Sequence, residues 1–183
     1  MKLNHAMIDI EALGNCTNGL IVSIGAINFD PHGDLGANQF KVNIGIQSAL
    51  NAGAKIEGSN IEWWLGQEIA AVRAAFYNPS PLPELEALRV LRRWLDEFKI
   101  EFVWSHGCNY DLRMLAQAFE RHDYRLPWAY RNERDTRTLF EAANIGDAEW
   151  RVGHALTSVK HDALQDAIRQ AKVVQLAYQK LAR

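Results

Sequence analysis

Asp9-Ile10-Glu11 closes a short apolar run, and strand side chains alternate, so its two carboxylates share one face while Ile10 points to the other. Two acids on one face repel unless a cation lies between them. Asp111 follows the apolar stretch 101–105 and stands at the start of a helical pattern. Asp166 lies in the last helical stretch, five residues after His161. Taken singly, each has a plainer job. Asp9 and Glu11 read as solvated acids at a strand end, Asp111 as a helix-start acid favoured by the dipole, Asp166 as a solvated surface acid and His161 as a cap or surface residue. Taken together, four carboxylates from three segments and a histidine able to take a proton near neutral pH form the parts of one chemistry. Mg²⁺ or Mn²⁺ prefers hard oxygen ligands, and two such ions ~3.5–4 Å apart hold both the attacking and the leaving oxygens of a phosphodiester.

Positioning these groups calls for strands first and helices later. Ala6 to Ile10 reads as a strand, residues 19 to 30 as a second ending in the turn Asp30-Pro31-His32-Gly33, and Phe40 to Ile44 as a third. Their close spacing predicts an antiparallel meander. Glu101 to Ser105 is a further short strand. After Asn60 as N-cap, Ile61, Leu65, Ile69, Val72 and Phe76 recur at helical spacing and predict one helix with one apolar stripe. Pro79 and Pro81 break it, and Pro83 opens a second helix on Leu85, Leu88, Leu91 and Leu95. Another helix runs from about Asp111 through Leu115 and Phe119, stopping before Pro127, and Asp135 to Ala143 forms a short one. The last spans Asp162 to Leu181 on Leu164, Ile168, Ala171, Val174 and Tyr178. Asp166 lies roughly 130° from the centre of that stripe, which predicts a position outside the core. The economical arrangement is one α/β domain over residues 1–183.

The 183 residues carry 20 Lys+Arg against 22 Asp+Glu, a net charge of −2, so bulk electrostatics give no argument for a polyanion; local charge or bound metal must supply one. Cys16 and Cys108 are too few for a disulfide framework and suit a reduced, cytoplasmic setting. His5, Asp9 and Glu11 interrupt any signal-peptide core, and no apolar run approaches the ~20 residues of a membrane span. The glycine-rich loop of P-loop NTPases and the G-x-S-x-G of α/β-hydrolases are both missing.

The ordered triple Asp9-Ile10-Glu11, Tyr110-Asp111 and His161-x4-Asp166 resembles the DEDDh, or DnaQ-like, 3′–5′ exonuclease family. Within it the chain is most similar to the small exonucleases carried by prophages and their exoribonuclease-like relatives. The shared stretches are Met7 to Gly14, Ile21 to Asp30, Trp63-Trp64-Leu65 and Asp135-Thr136-Arg137. The resemblance implies a ribonuclease H-like fold, a mixed central β-sheet flanked by α-helices. It implies that Asp9, Glu11, Asp111 and Asp166 hold two divalent ions, Mg²⁺ or Mn²⁺, and that His161 activates the water. It further implies release of nucleoside 5′-monophosphates from the 3′ end of DNA or RNA, as a single strand or 3′ overhang, and it is compatible with a homodimer. Many relatives carry His-Asn or Gly-Asn before the second aspartate, where this chain has Ser105-His106-Gly107-Cys108-Asn109. His106 and Asn109 are therefore both candidates for orienting the substrate, alongside Ile10. Asp162 and Asp135 are expected to serve helix starts rather than a metal.

Two further features bear on nucleic acid. Arg121, Arg125, Arg131, Arg134 and Arg137 outweigh Asp123, Glu133 and Asp135, a local 5 − 3 = +2, with Tyr124, Trp128 and Tyr130 interleaved. Such a mixture suits single strands, and it equally suits a solvated loop whose rings pack inward. Trp63 lies about 160° from the stripe of its predicted helix, so it is expected outside the main core. Cover by another segment or subunit stands ahead of base stacking for that ring. The rival functions are a catalytically idle nucleic-acid-binding subunit and a phosphohydrolase acting on nucleotides or small phosphate esters.

Overall fold

Ile21–Phe29 (β2) is buried at every position, as a strand covered on both faces must be. It pairs antiparallel with His5–Ala12 (β1) and with Leu35–Asn43 (β3), giving the expected meander. Phe102–Ser105 (β4) adds to β1 in parallel and Glu133–Asp135 (β5) adds to β4 in parallel, so the sheet is mixed in the order β3-β2-β1-β4-β5. The computed structural model describes residues 3–150 and 160–182; of the expected span 1–183, residues 1–2, 151–159 and 183 lie outside the described residues. β5 escapes sequence reading because three polar residues carry no alternation.

Among the described residues seven α-helices are complete: Ile46–Asn51 (α1), Gly58–Leu65 (α2), Ile69–Phe76 (α3), Glu84–Glu97 (α4), Asp111–Arg121 (α5), Thr136–Ala142 (α6) and Ala163–Leu181 (α7). β1 divides the interior by alternation. Ala6, Ile8 and Ile10 join Leu88, Leu91, Leu112 and Leu115 of α4 and α5 in one core. Met7 joins Trp104, Phe140, Ala167, Ala171 and Val174 in the other, under α6 and α7. Asp9 and Glu11 share the parity of Met7 and so belong to the α7 side.

Two expectations are corrected here. The single helix begun at Asn60 is two helices, with Glu57 and Glu68 as their N-terminal boundary residues and Gly66 ending the first; Asn60 lies inside α2. The expected stripe is largely outside: Leu65 is 81% and Ile69 72% exposed, while Trp64 is only 4% exposed. The break resets the helical phase, so the spacing of the apolar residues no longer defines a face. The larger ring takes the buried place instead. Trp64 packs edge-on to Phe76 at 4.8 Å and donates its indole N–H to the Ala12 carbonyl at 3.0 Å.

The second correction concerns Asp166, which is buried. The face of α7 against the sheet is made of Ala163, Ala167, Ala171 and Ala177, all fully buried, with Val174. Small side chains let the helix axis come close, so the true centre of burial is displaced from the one the bulky residues suggest. Gly25 completes this fit. It is the β2 partner of Asp9, and a Cβ there would collide with the backbone of Ala163 and Leu164. The first turn of α7 is thereby seated directly over the carboxylates of β1.

Candidate active site

The groups meet beyond the carboxyl ends of the parallel strands β1 and β4, the place where α/β sheets offer a crevice. β1 brings Asp9 and Glu11. The loop after β4 turns at Gly107, whose φ of +108° favours glycine, and delivers Asp111 as the first residue of α5. Asp111 Oδ1 accepts from the backbone N–H of Ile10 at 3.4 Å, which ties α5 to β1. Asp166 comes from the first turn of α7, capped by Asp162, which accepts from the N–H groups of Leu164 at 3.1 Å and Gln165 at 3.3 Å. Asp162 also pairs with Lys41 Nζ of β3 at 2.7 Å. Both secondary assignments hold, since Asp135 likewise caps α6 through the Arg137 N–H.

His161 precedes that cap with φ +57°, a left-handed conformation that costs a non-glycine residue about 1–3 kcal/mol. Its ring is flanked edge-on by Trp63 at 4.9 Å and Trp64 at 5.9 Å. Asp9, Glu11, Asp111, His161 and Asp166 all line one pocket of about 250 Å³, with Ile10, His106, Tyr110, Arg137, Arg169 and Gln170. Glu11, His161 and Asp166 each present a ligand atom within 4.8 Å of the others.

Burial dominates the electrostatics. Asp9 is pushed well above the usual carboxylate range by burial, then by repulsion from Asp111, Glu11 and Asp166. Glu11 is raised by burial and by Asp166 and Asp111. Asp111 is raised to about 7 by burial, against the opposing hydrogen bond from Ile10. Such a set of buried, mutually repelling carboxylates calls for cations, and its oxygen donors with one imidazole fit Mg²⁺ or Mn²⁺. His161 is lowered by burial, opposed by Asp166, which favours the neutral ring.

Two partners of the acids went unread in the sequence. Gln170 Nε2 donates to Asp9 Oδ1 at 2.7 Å, and Arg169 Nη2 pairs with Asp166 Oδ1 at 2.5 Å. The Trp150 ring lies 4.4 Å from the Arg169 guanidinium and stacks on His106 at 4.5 Å. Their signal was the i+3 and i+4 spacing from Asp166, which puts them on its helix face.

The candidate substrate contacts divide. His106 lines the pocket, its Nδ1 2.8 Å from Thr136 Oγ1; Asn109 is exposed and lines no described pocket. Trp63, 45% exposed and outside the main core as expected, lines an adjoining hollow of about 340 Å³ that shares Ile10, Glu11 and Tyr110 with the first. The arginine-aromatic stretch 121–137 divides: Arg125, Tyr130, Arg131 and Arg137 are exposed, and the other four are packed. Arg121 is held by buried Glu84 at 2.7 Å, Arg134 sits over Phe102 at 4.7 Å, Tyr124 stacks on Phe119 at 5.5 Å and Trp128 donates to Glu133 at 2.9 Å. Arg137 alone of its arginines lines the carboxylate pocket.

Residues 4–178 match the family model described as "3'-5' exoribonuclease Rv2179c-like domain". No curated protein sequence matches the chain. Among solved structures it is similar to Escherichia coli exonuclease I in complex with a dA16 oligonucleotide, with TM-score 0.66 and 13% identity over 98% of this chain and 41% of that one. It is also similar to the nuclease domain of 3'hExo, a DEDDh family member bound to rAMP, with TM-score 0.59 and 13% identity over 96% of this chain and 91% of that one. The RNase domain of the yeast Pop2 protein gives TM-score 0.55 and 12% identity over 99% and 77%. These likenesses are of fold, and the chain spans about two fifths of the length of exonuclease I.

Proposed function

The chain belongs to the 3′–5′ exoribonuclease Rv2179c-like domain family, and from that premise we propose that it hydrolyses phosphodiester bonds from the free 3′ end of a single strand or overhang, releasing nucleoside 5′-monophosphates. The observation that carries this reading is the convergence of Asp9, Glu11, Asp111, Asp166 and His161, from three chain segments, on one pocket.

Asp9, Glu11, Asp111 and Asp166 would hold two divalent ions, Mg²⁺ or Mn²⁺. When bound, such ions would supply Lewis-acid stabilisation of the attacking and leaving oxygens. His161, kept neutral by burial, takes the proton of the attacking water. Trp63 and Trp64 limit the swing of its ring, and the backbone conformation at His161 aims it inward. Gln170 and Arg169 orient the carboxylates of Asp9 and Asp166. Ile10 and His106 line the carboxylate pocket and Trp63 the adjoining hollow, which supports them as contacts to a terminal nucleotide; Asn109 lines neither.

The test is a time course on 5′-labelled single-stranded RNA, single-stranded DNA and a 3′-overhang duplex, with Mg²⁺, Mn²⁺ or EDTA. Stepwise shortening from the 3′ end that EDTA abolishes is the expected result. Turnover of free mononucleotides or small phosphate esters without strand shortening would replace it with a phosphohydrolase, and strand binding without turnover would leave a binding subunit.

A further inference from the structure

Arg137 is the second residue of α6, anchored through its backbone N–H to Asp135 at 2.8 Å. Its guanidinium lies flat against the β4–α5 loop: a Cβ on Gly107 would stand 3.1–3.4 Å from Nη1, Cζ and Nη2. The side chain is exposed, yet it leans on that loop and lines the wall of the carboxylate pocket. The other guanidinium lining that pocket, Arg169, is committed to Asp166 and packed on Trp150. Among the described residues, that of Arg137 forms no ion pair, although its field reaches Asp111, Asp135 and His106.

An accessible cation at the wall of an acidic pocket, left unpaired by those acids, is disposed toward an anion brought from outside. The planar fork matches two phosphate oxygens. Resting on the nuclease reading above, we infer that Arg137 is a substrate-positioning residue that grips a non-bridging phosphate oxygen of the strand as it enters the carboxylate pocket. The partner chemistry is a phosphodiester, with no preference for one base.

The experiment measures 3′-end shortening of a 5′-labelled single strand with Mn²⁺, over substrate and KCl concentration, for wild type, R137Q and R137K. Loss of one charge-assisted contact should lower kcat/KM of R137Q by about 10- to 100-fold, mainly through KM. The slope of log(kcat/KM) against log[KCl] should flatten by about 0.7, the share of one phosphate on a single strand. R137K should recover the slope but only part of kcat/KM, and melting temperature and Mn²⁺ affinity should stay at wild-type values. Unchanged kcat/KM and slope in R137Q would overturn this assignment while leaving the nuclease reading intact. A parallel loss of Mn²⁺ affinity would overturn it as well, by placing the effect at the carboxylates. Failure of the wild type to shorten any strand would remove the nuclease reading itself, and the assignment with it.

Discussion

His161 adopts a left-handed backbone, between two tryptophan rings and one residue before a helix cap, and its strain is held by the contacts around it. The proposed role of His161 as proton acceptor and that proposed for Asp9 as ligand should separate under mutation. His161→Ala should cut turnover by about 10²- to 10⁴-fold and leave Mn²⁺ affinity by calorimetry largely intact. Asp9→Ala should damage both. Because His161 also stands within 4.8 Å of Glu11 and Asp166 ligand atoms, equal loss of Mn²⁺ affinity in the two variants would make it a ligand rather than a base. Gln170 offers a second contrast. It touches Asp9 and fixes its orientation, so Gln170→Ala should weaken Mn²⁺ binding by about 10- to 100-fold. Unchanged affinity would reduce that hydrogen bond to a packing detail.

At the scale of elements, α2 and α7 decide where the rings and acids go. The apolar spacing from Ile61 to Phe76 reads as one helix, yet Gly66 to Glu68 interrupt it and Leu65 ends in solvent. Trp64→Ala should therefore cost about 3–5 kcal/mol in denaturant unfolding, by cavity formation and loss of its bond to Ala12. Leu65→Ser should stay within about 0.5 kcal/mol of wild type, since its side chain is already exposed. The reverse ranking would restore the single-stripe helix. α7 shows the same principle with small residues: alanines and Gly25 set a close approach that bulky residues would forbid, and Asp166 is buried as a result.

For the whole molecule, the acidic pocket should make stability depend on pH and on divalent ions. Asp9, Glu11 and Asp111 all have folded pKa values raised above the unfolded carboxylate range, Asp111 to about 7, chiefly by burial. Their contribution is full below about pH 4 and is lost as pH rises through the folded values. His5 and His106, both lowered to about 4 chiefly by burial, act in the opposite sense: their contribution is present above about pH 6.5 and lost as pH falls toward 4. The carboxylate effect is therefore read cleanly between about pH 6.5 and 8.5. Over that window the melting temperature in EDTA should fall. Excess Mn²⁺ should restore it by mass action, about 2.7 kcal/mol at 100 times Kd. Asp111→Asn, which keeps an acceptor for Ile10, should stabilise the metal-free protein at pH 7.5 by about 1–4 kcal/mol. A flat profile in EDTA, or a destabilised Asp111→Asn, would show that the pocket carries no electrostatic stress.

The sequence by itself determined the meander, the helix starts at Asp111 and Asp162, and the set Asp9, Glu11, Asp111, His161 and Asp166. Those rest on local alternation, capping chemistry and an ordered motif, all short-range along the chain. Only the tertiary structure decided the rest. It chose Trp64 over Leu65 for burial, spent Arg121 and Arg134 on packing while leaving Arg137 at the pocket, and set Gln170 and Arg169 on the acids. These outcomes depend on which surfaces come close across the sheet, and closeness is fixed by the small residues of α7 and by Gly25, whose weight shows only when helix meets strand.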